Sequence, residues 1–442
     1  MQRSLVGSEM CIRDRYIAIL LLAGVLTSCK VGKSYVRPDL HLPDSLERSQ
    51  DSVSFGDQDW RDIYTDATLR SLIERALDHN KDMLIAAARV KEMAAQKRIS
   101  TAALLPDIKG KVTGERELEN HGGDAFKRSD TFEAQFLVSW EVDLWGNLRW
   151  ARSASIAEYL QSIEAQRALQ MTIVAEVAQA YYELVALDTE LDIVKQTLKA
   201  REEGVRLARI RFAGGLTSET SYRQAQVELA RTATLVPDLE RKISLKENDI
   251  AYLAGEYPNK IARSRLLQEF NSPETLPVGL PSTLLERRPD IRQAEQKLIA
   301  ANAKVGVAYT NMFPRLALTG GFGSESTSLS ELLKSPYAVM EGALLTPIFG
   351  WGKNRAALKA KKAAYEAEVH SYEKSVLEAF KETRNAIVNF NKIKEVYELR
   401  ANLERSAKSY MDLAQLQYIN GVINYLDAVS YTHLTLPTNS LV

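Results

Sequence analysis

Few side chains in this chain could do chemistry, and their spacing excludes most of it. Among 442 residues there are two thiols, Cys11 and Cys29, both before residue 30. A disulfide framework, a Cys-ligated zinc site and a cysteine nucleophile are therefore excluded from everything downstream. The imidazoles, His41, His79, His121, His370 and His433, never stand three or four residues apart, so there is no two-histidine metal helix. No methionine or histidine cluster favours copper or silver, and neither phosphate-loop nor G-x-G-x-x-G spacing occurs. Asp and Glu recur along charged helix faces, where such pairs arise whatever the function, so they carry no hydrolase signal. Lys+Arg and Asp+Glu both number 57, whereas a nucleic-acid partner would favour a basic excess. The expectation is no catalysis, no cofactor, no metal and no nucleic acid. What remains is Cys29 and two distant glycine turns. These are Ala213-Gly214-Gly215-Leu216 and Ile419-Asn420-Gly421-Val422, the second flanked by Tyr418, Leu426 and Asp427.

Cys29 has a context that gives its thiol a role. Tyr16–Leu26 is an apolar run of 11 residues, preceded by Arg13 and Arg15 and followed by Leu26-Thr27-Ser28-Cys29. The run is too short for a membrane-spanning helix, which needs about 20 residues. A charged start, a short apolar core and small residues before a cleavage point make a secretory signal over 1–28. The Cys after those small residues resembles a bacterial lipobox: cleavage before Cys29 and acylation of its thiol would anchor the mature chain. The plainer alternative is an ordinary signal with an incidental Cys. Lys30, rather than Asp, follows; by resemblance to Gram-negative sorting, that favours the outer membrane. Residues 1–15 mix Glu9 and Asp14 among the basic residues and read as foreign sequence or as an ordinary terminus.

The elements that would position the turns come in two copies, offset by about 206 residues. Leu105-Pro106 answers Phe313-Pro314, Trp145-Gly146-Asn147 answers Trp351-Gly352-Lys353, and Phe212-x-x-Gly215 answers Tyr418-x-x-Gly421. Such an internal period points to gene duplication. Each copy has two β-like stretches, a Trp-Gly corner, a very long helix and a tight turn. In 131–142, Phe132, Ala134, Phe136, Val138, Trp140 and Val142 share one face, and Thr131, Glu133, Gln135, Ser139 and Glu141 share the other. Leu137 is the exception. Alternation with an apolar outer face is the transmembrane-barrel pattern, though a soluble sandwich face reads alike. Strands are expected at about 106–118, 130–143, 314–325 and 337–348. The smallest single-chain barrels have about 8 strands, and an open edge in lipid leaves backbone groups unpaired, so four strands require several chains.

From Gly146 to Ala213 and from Lys353 to Asn420 no Pro occurs; each span would run roughly 100 Å as a helix at about 1.5 Å per residue. Val177, Tyr181, Leu184, Leu187, Leu191, Val194 and Leu198 repeat at three and four, as do Val369, Tyr372, Val376, Ala379, Thr383, Ile387 and Phe390. That spacing is coiled-coil-like. Gly214-Gly215 reverses the chain into a return helix at about 217–254, with a kink expected at Pro237. The fold class is mixed α and β: long helical hairpins forming an α-barrel, plus four transmembrane strands per chain, with internal duplication. The parts are 29–105 (anchor, extended segment, first helices), 106–145 (first β-hairpin), 146–254 (first helical hairpin), 255–313 (linker and helix), 314–350 (second β-hairpin) and 351–429 (second helical hairpin). In 430–442 the sequence changes character, and no return helix can form from SYTHLTLPTNSLV. The expectation is a truncated copy of a longer protein: helix to about 417, broken after 424, loose after about 430.

Three stretches carry a family resemblance. CKVGKSYVRPDLHLP (29–43) is similar to the mature start, and DATLRSLIERALDHNKDMLIAAARVKEM (66–93) to the first periplasmic helices, of lipoprotein members of the TolC-type outer-membrane efflux factors. LLERRPDIRQAEQKLIAANAKVGVAYTNMFPRLALTG (284–320) resembles the signature of the subset serving resistance-nodulation-division pumps. The turns at 212–215 and 418–427 complete a resemblance covering about 29–429. It implies a homotrimer with a 12-stranded barrel in the outer membrane and an α-helical barrel in the periplasm. That would be a passive duct for drugs or other small toxic solutes, working with a periplasmic adaptor and an inner-membrane resistance-nodulation-division transporter. By the same resemblance, Tyr418, Leu426 and Asp427 form the periplasmic gate. Gly214, Gly215, Leu216, Asn420, Gly421 and Val422 form the tips that meet the adaptor. On residue chemistry alone, Asp427 reads equally well as a helix N-terminal carboxylate, and Gly215 and Gly421 as plain caps. The competing function is a structural periplasmic coiled-coil lipoprotein without a pore.

Overall fold

The computed structural model describes residues 30–40, 58–120, 122, 126–263, 287–348 and 350–423. Cys29, Leu426, Asp427, the signal segment and the expectations for 424–442 lie outside them. The described elements are α1 (Trp60–Ile63), α2 (Ala67–His79), α3 (Lys81–Ala102), β1 (Asp107–Glu119), β2 (Lys127–Val142), α4 (Asn147–Ala213), α5 (Glu219–Leu253), α6 (Pro289–Thr310), β3 (Arg315–Ser326), β4 (Pro336–Leu345) and α7 (Lys353–Ile419). No helix among the described residues is long and apolar enough to cross a membrane.

The duplication holds to the residue. Helices α4 and α7 both have 67 residues; Asn147 and Lys353 differ by 206 positions, as do Ala213 and Ile419. Helices α3 and α6 both have 22 residues and start 208 apart, at Lys81 and Pro289. Both long helices begin after a glycine in the left-handed region, Gly146 at φ 81° and Gly352 at φ 74°. A side chain would resist that conformation there.

The chain divides into two compact units, one made of 1–41, 87–165 and 288–376, the other of 42–86, 166–287 and 377–442. The first holds one antiparallel sheet in the order β1-β2-β3-β4. Pairs Gly110–Phe136, Phe136–Phe322 and Leu318–Gly342 fix its register. Ile108, Val112, Phe136, Val138, Leu318, Phe322, Met340 and Leu344 all expose large apolar side chains. All are even-numbered, so the pleat puts them on one face. The opposite face carries the polar network, with Val339 and Leu345 of β4 also exposed on it: Glu133 on β2 accepts from Lys111 at 3.0 Å on β1 and from the Tyr337 hydroxyl at 2.6 Å on β4. Tyr337 reaches β2 across Gly323, its direct partner on β3. Leu137, the exception in the alternation, lies opposite Gly321, and a Cβ there would touch its Cδ2 at 3.4 Å. An apolar side chain is thus accommodated on the polar face over a residue that has none.

The second unit has the larger core. Leu69, Leu72, Ile73 and Ala76 of α2 bury against Ile173, Val177, Tyr181 and Leu184 of α4 and Ile250 and Ala251 of α5. Asp66 caps α2 through Thr68 N at 2.7 Å and takes the Tyr181 hydroxyl at 2.9 Å. Each buried Leu or Tyr here contributes roughly 1.5–3 kcal/mol. The helical stripes expected from the sequence face inward: Val177, Tyr181, Leu184, Val194, Tyr372, Val376, Ala379 and Ile387 are all buried. Helix α5 runs continuously through Pro237, so the proline is held inside the helix as the sequence places it.

Candidate functional site

The two glycine turns are the same structure made twice. After α4, Leu216 N donates to Arg211 O at 2.8 Å and Gly214 N to Ile210 O at 2.9 Å; after α7, Val422 N donates to Gln417 O at 2.9 Å and Asn420 N to Leu416 O at 3.1 Å. The six-to-one bond with a left-handed residue is a Schellman cap, and Gly215 (φ 73°) and Gly421 (φ 76°) supply that residue. A Cβ at Gly215 would meet nothing within 4 Å, so the glycine is there for its backbone angle rather than for space. Each cap turns one apolar side chain outward: Leu216 is 72% and Val422 69% exposed. The capping role of Gly215 and Gly421 is thus visible in the structure, together with the exposure of the two apolar side chains beside them.

Tyr418 is not at the surface of its unit. It is 6% exposed, packed with Ala208 and Ala225 and fringed by Val205, Leu207, Tyr222 and Ile423. The residue that holds it is Arg211, which sequence reasoning did not single out. Arg211 Nη1 donates to the Tyr418 carbonyl at 3.0 Å, and its guanidinium lies over the Tyr418 ring, 4.9 Å from the centroid. One side chain from the end of α4 thus satisfies a terminal carbonyl of α7 and caps it with positive charge, which the helix dipole favours. Burial pushes the Tyr418 phenol above its ordinary pKa, and the Arg211 charge opposes that only in part. The phenol stays neutral at physiological pH. Alongside, Phe212 stacks on Tyr222 at 6.3 Å. The structure joins Tyr418 to Arg211 in the last turn of α4; Leu426 and Asp427 are outside the described residues.

At the anchor end, Cys29 is also undescribed, but the residues after it are firmly tied. Val31 N donates to Trp145 O at 3.1 Å, and Trp150 Nε1 donates to Val31 O at 2.7 Å. Lys30 Nζ donates to Ser153 at 2.8 Å and sits 3.4 Å from the Trp150 ring centroid. Burial, followed by the Arg149 charge, pulls the Lys30 pKa down. Further along, Arg37 makes two 2.7 Å bonds to Glu295, and Asn302 donates to Lys33 O at 3.2 Å. This strap holds the position following Cys29 beside the foot of the sheet, where β2 gives way to α4. Replacing Cys29 by Ala is expected to remove lipid from the mature N-terminus and to weaken membrane attachment in part. Mass spectrometry of the native protein reads the first; an unmodified wild-type N-terminal peptide refutes the anchor.

Comparison with known proteins adds to this geometry. A model of the family described as outer membrane efflux protein matches residues 72–256 and 280–430. The outer membrane protein OprJ of Pseudomonas aeruginosa is 32% identical over 436 residues, covering 93% of this chain and 89% of OprJ. The cation efflux system protein CusC of Escherichia coli is 27% identical over 92% of this chain and 90% of its own length. Among solved structures, the outer-membrane channel OprN superposes with a TM-score of 0.86 at 27% identity, covering 92% of this chain and 93% of that one. The open state of the MtrE outer membrane channel of Neisseria gonorrhoeae gives 0.84 at 27% identity, covering 92% of each chain.

Proposed function

The chain belongs to the outer membrane efflux protein family, and from that premise we propose a passive exit duct whose gate is at the helix tips. It is an outer-membrane channel component of a tripartite efflux pump. The observation that carries the duct reading is the sheet. Four antiparallel strands present a mainly apolar band on one face, ending in the Arg116–Asp130 ion pair near the turn, and most of their polar side chains on the other, and β1 and β4 are edges. Such edges are not viable in lipid until other strands cover them. A homotrimer sharing twelve strands meets that need. The polar face then lines water, and the long helices continue the duct into the periplasm. The exposed Leu216 and Val422 are the contacts for a periplasmic adaptor, which links the duct to an inner-membrane resistance-nodulation-division transporter. Cys29 supplies a lipid anchor. Related proteins are named for cation, toluene and antibiotic efflux, and a duct without a selective binding site suits any of these.

Discrete conductance steps from the purified protein in planar bilayers test this reading. A protein that runs as a trimer on unheated gels yet never opens a step is a structural lipoprotein and not a duct. Asp427 carries a specific expectation. Three symmetry-related carboxylates at a narrow mouth attract cations, so Asp427→Ala in the complete protein raises conductance and lowers cation preference. Unchanged values reduce Asp427 to a helix-cap residue.

A further inference from the structure

The two long helices start at matching positions and are charged differently. The start of α4 holds an anion of its own. Asp143 accepts from Leu148 N at 3.1 Å and from Arg149 N at 3.0 Å, and Arg149 Nε donates to it at 3.0 Å. That carboxylate satisfies two end donors of the helix and neutralises the arginine. Shifted by 206 positions, Arg149 becomes Arg355 and Asp143 becomes Phe349. The second repeat thus keeps the arginine at the helix start and has no carboxylate at the matching position.

It also adds charge. KNRAALKAKK (353–362) has five basic residues and no acid, against two, Arg149 and Arg152, in 147–156. Arg355, Lys359 and Lys362 follow one another at four and three residues, so they share one face of α7, and all three are exposed. Among the described residues, every ion pair of α7 lies at Glu368 or beyond. Cations in the first turn oppose the helix dipole, so they are not there to steady the helix.

The first repeat also gives the depth of this stripe. Ser153, the counterpart of Lys359, accepts from Lys30 Nζ at 2.8 Å. Lys30 follows Cys29 directly, with Cα atoms about 3.8 Å apart. On the anchor reading above, acyl chains leave Cys29 for the bilayer, so Lys30 and Ser153 lie at the lipid headgroups. The repeat puts Lys359 at the same level. Residues 355–362 span roughly 10 Å of helix at about 1.5 Å per residue, enough to cross the polar layer of one leaflet, roughly 5–8 Å thick. In the first repeat the ammonium at this place comes from the strap; in the second, Lys359 brings its own.

We propose, on the outer-membrane and anchor reading above, that Arg355 and Lys359, with Lys362 beside them, hold the headgroup phosphate of an anionic phospholipid, in the place that Asp143 fills in the first repeat. The phosphodiester accepts from the guanidinium and from the start of α7, as the carboxylate accepts from Arg149 and the start of α4. In a zwitterionic lipid the headgroup ammonium competes for the same phosphate, so a net negative headgroup is preferred.

Native mass spectrometry of the full chain, purified from membranes in mild detergent and titrated with phosphatidylglycerol or phosphatidylethanolamine, tests this site. The wild type is expected to retain one phosphatidylglycerol per chain in preference to phosphatidylethanolamine. Arg355→Gln with Lys359→Gln should weaken that retention about 25-fold, or about fivefold for each cation. Lys199→Gln with Lys408→Gln removes the same charge elsewhere and should leave the preference intact. Phe349→Asp restores the carboxylate of the first repeat and should cancel the preference with every cation in place. Equal losses in the two double variants would be a general effect of charge and overturn the site. Displacement of the lipid by inorganic phosphate would mark a site for soluble anions and overturn it too, and a preference that survives Phe349→Asp overturns the shared place. The same spectra read the N-terminus. An acylated N-terminus without the preference overturns the site and leaves the anchor standing; an unacylated one overturns both.

Discussion

Arg211→Ala is expected to unlatch the periplasmic end of the duct. The side chain makes a charge-assisted bond to the Tyr418 carbonyl at 3.0 Å and covers the Tyr418 ring. A bond of the first kind contributes roughly 1.5–3 kcal/mol and a partly desolvated cation–π contact about 1 kcal/mol. On the gate reading proposed above, in which this contact belongs to the closed tips, losing about 3 kcal/mol shifts the balance between closed and open tips about 100-fold. In planar bilayers the variant should therefore show more frequent or larger openings than the wild type. Arg211→Lys keeps the charge without the planar fork and should fall between. Tyr418→Phe should change little, because the guanidinium uses the ring and the backbone carbonyl rather than the phenol. Wild-type conductance in Arg211→Ala would make the contact a helix tie with no part in gating.

Gly306→Val is expected to destabilise the sheet-bearing unit strongly. A Cβ on Gly306 would stand 2.6 Å from Cε2 and 2.7 Å from Cγ of Trp150. Neither partner can retreat easily, since α6 is a regular helix and Trp150 is clamped between Val31 and Lys30. Overpacking of this kind costs typically 1–3 kcal/mol, and displacing the indole also undoes the strap after Cys29. The expected outcome is a lower urea midpoint and faster proteolysis of residues 30–40. Trp150→Leu, made in the same chain, vacates the space and should recover much of the loss. A Gly306→Val protein with the wild-type midpoint would show that the ring moves aside freely.

The periodic features were open to sequence reading because they are local. Val177, Tyr181 and Leu184 announce their helix and its inward face by spacing alone, and the glycines at 146, 215, 352 and 421 mark the helix ends because only a backbone of that conformation can turn there. Strand bounds fell within a few residues for the same reason. What escaped notice lies in contacts between distant positions. Arg211 and Tyr418 are 207 residues apart, and Arg37 and Glu295 are 258 apart. Nothing in the spacing around either arginine distinguishes it from the solvated arginines nearby. Tyr418 was singled out by resemblance, yet its burial against Ala208 and Ala225 was not deducible, because a tyrosine near a turn is equally at home in water.

The two repeats keep an offset of 208 up to the end of the first strand of each hairpin and 206 from the second strand onward, so the net difference in their length falls in the turns that join the strands. Those turns are at the end of the sheet opposite the Trp-Gly corners, and at Gly122 added bulk would meet nothing within 4 Å. Strand pairing within each hairpin and the length of the long helices are the same in both repeats. On the duct reading proposed above, these turns are at the end of the barrel away from the periplasmic helices. Their length can then change without altering either strand register or helix length, so the outer rim and the pore are separate parts of the design.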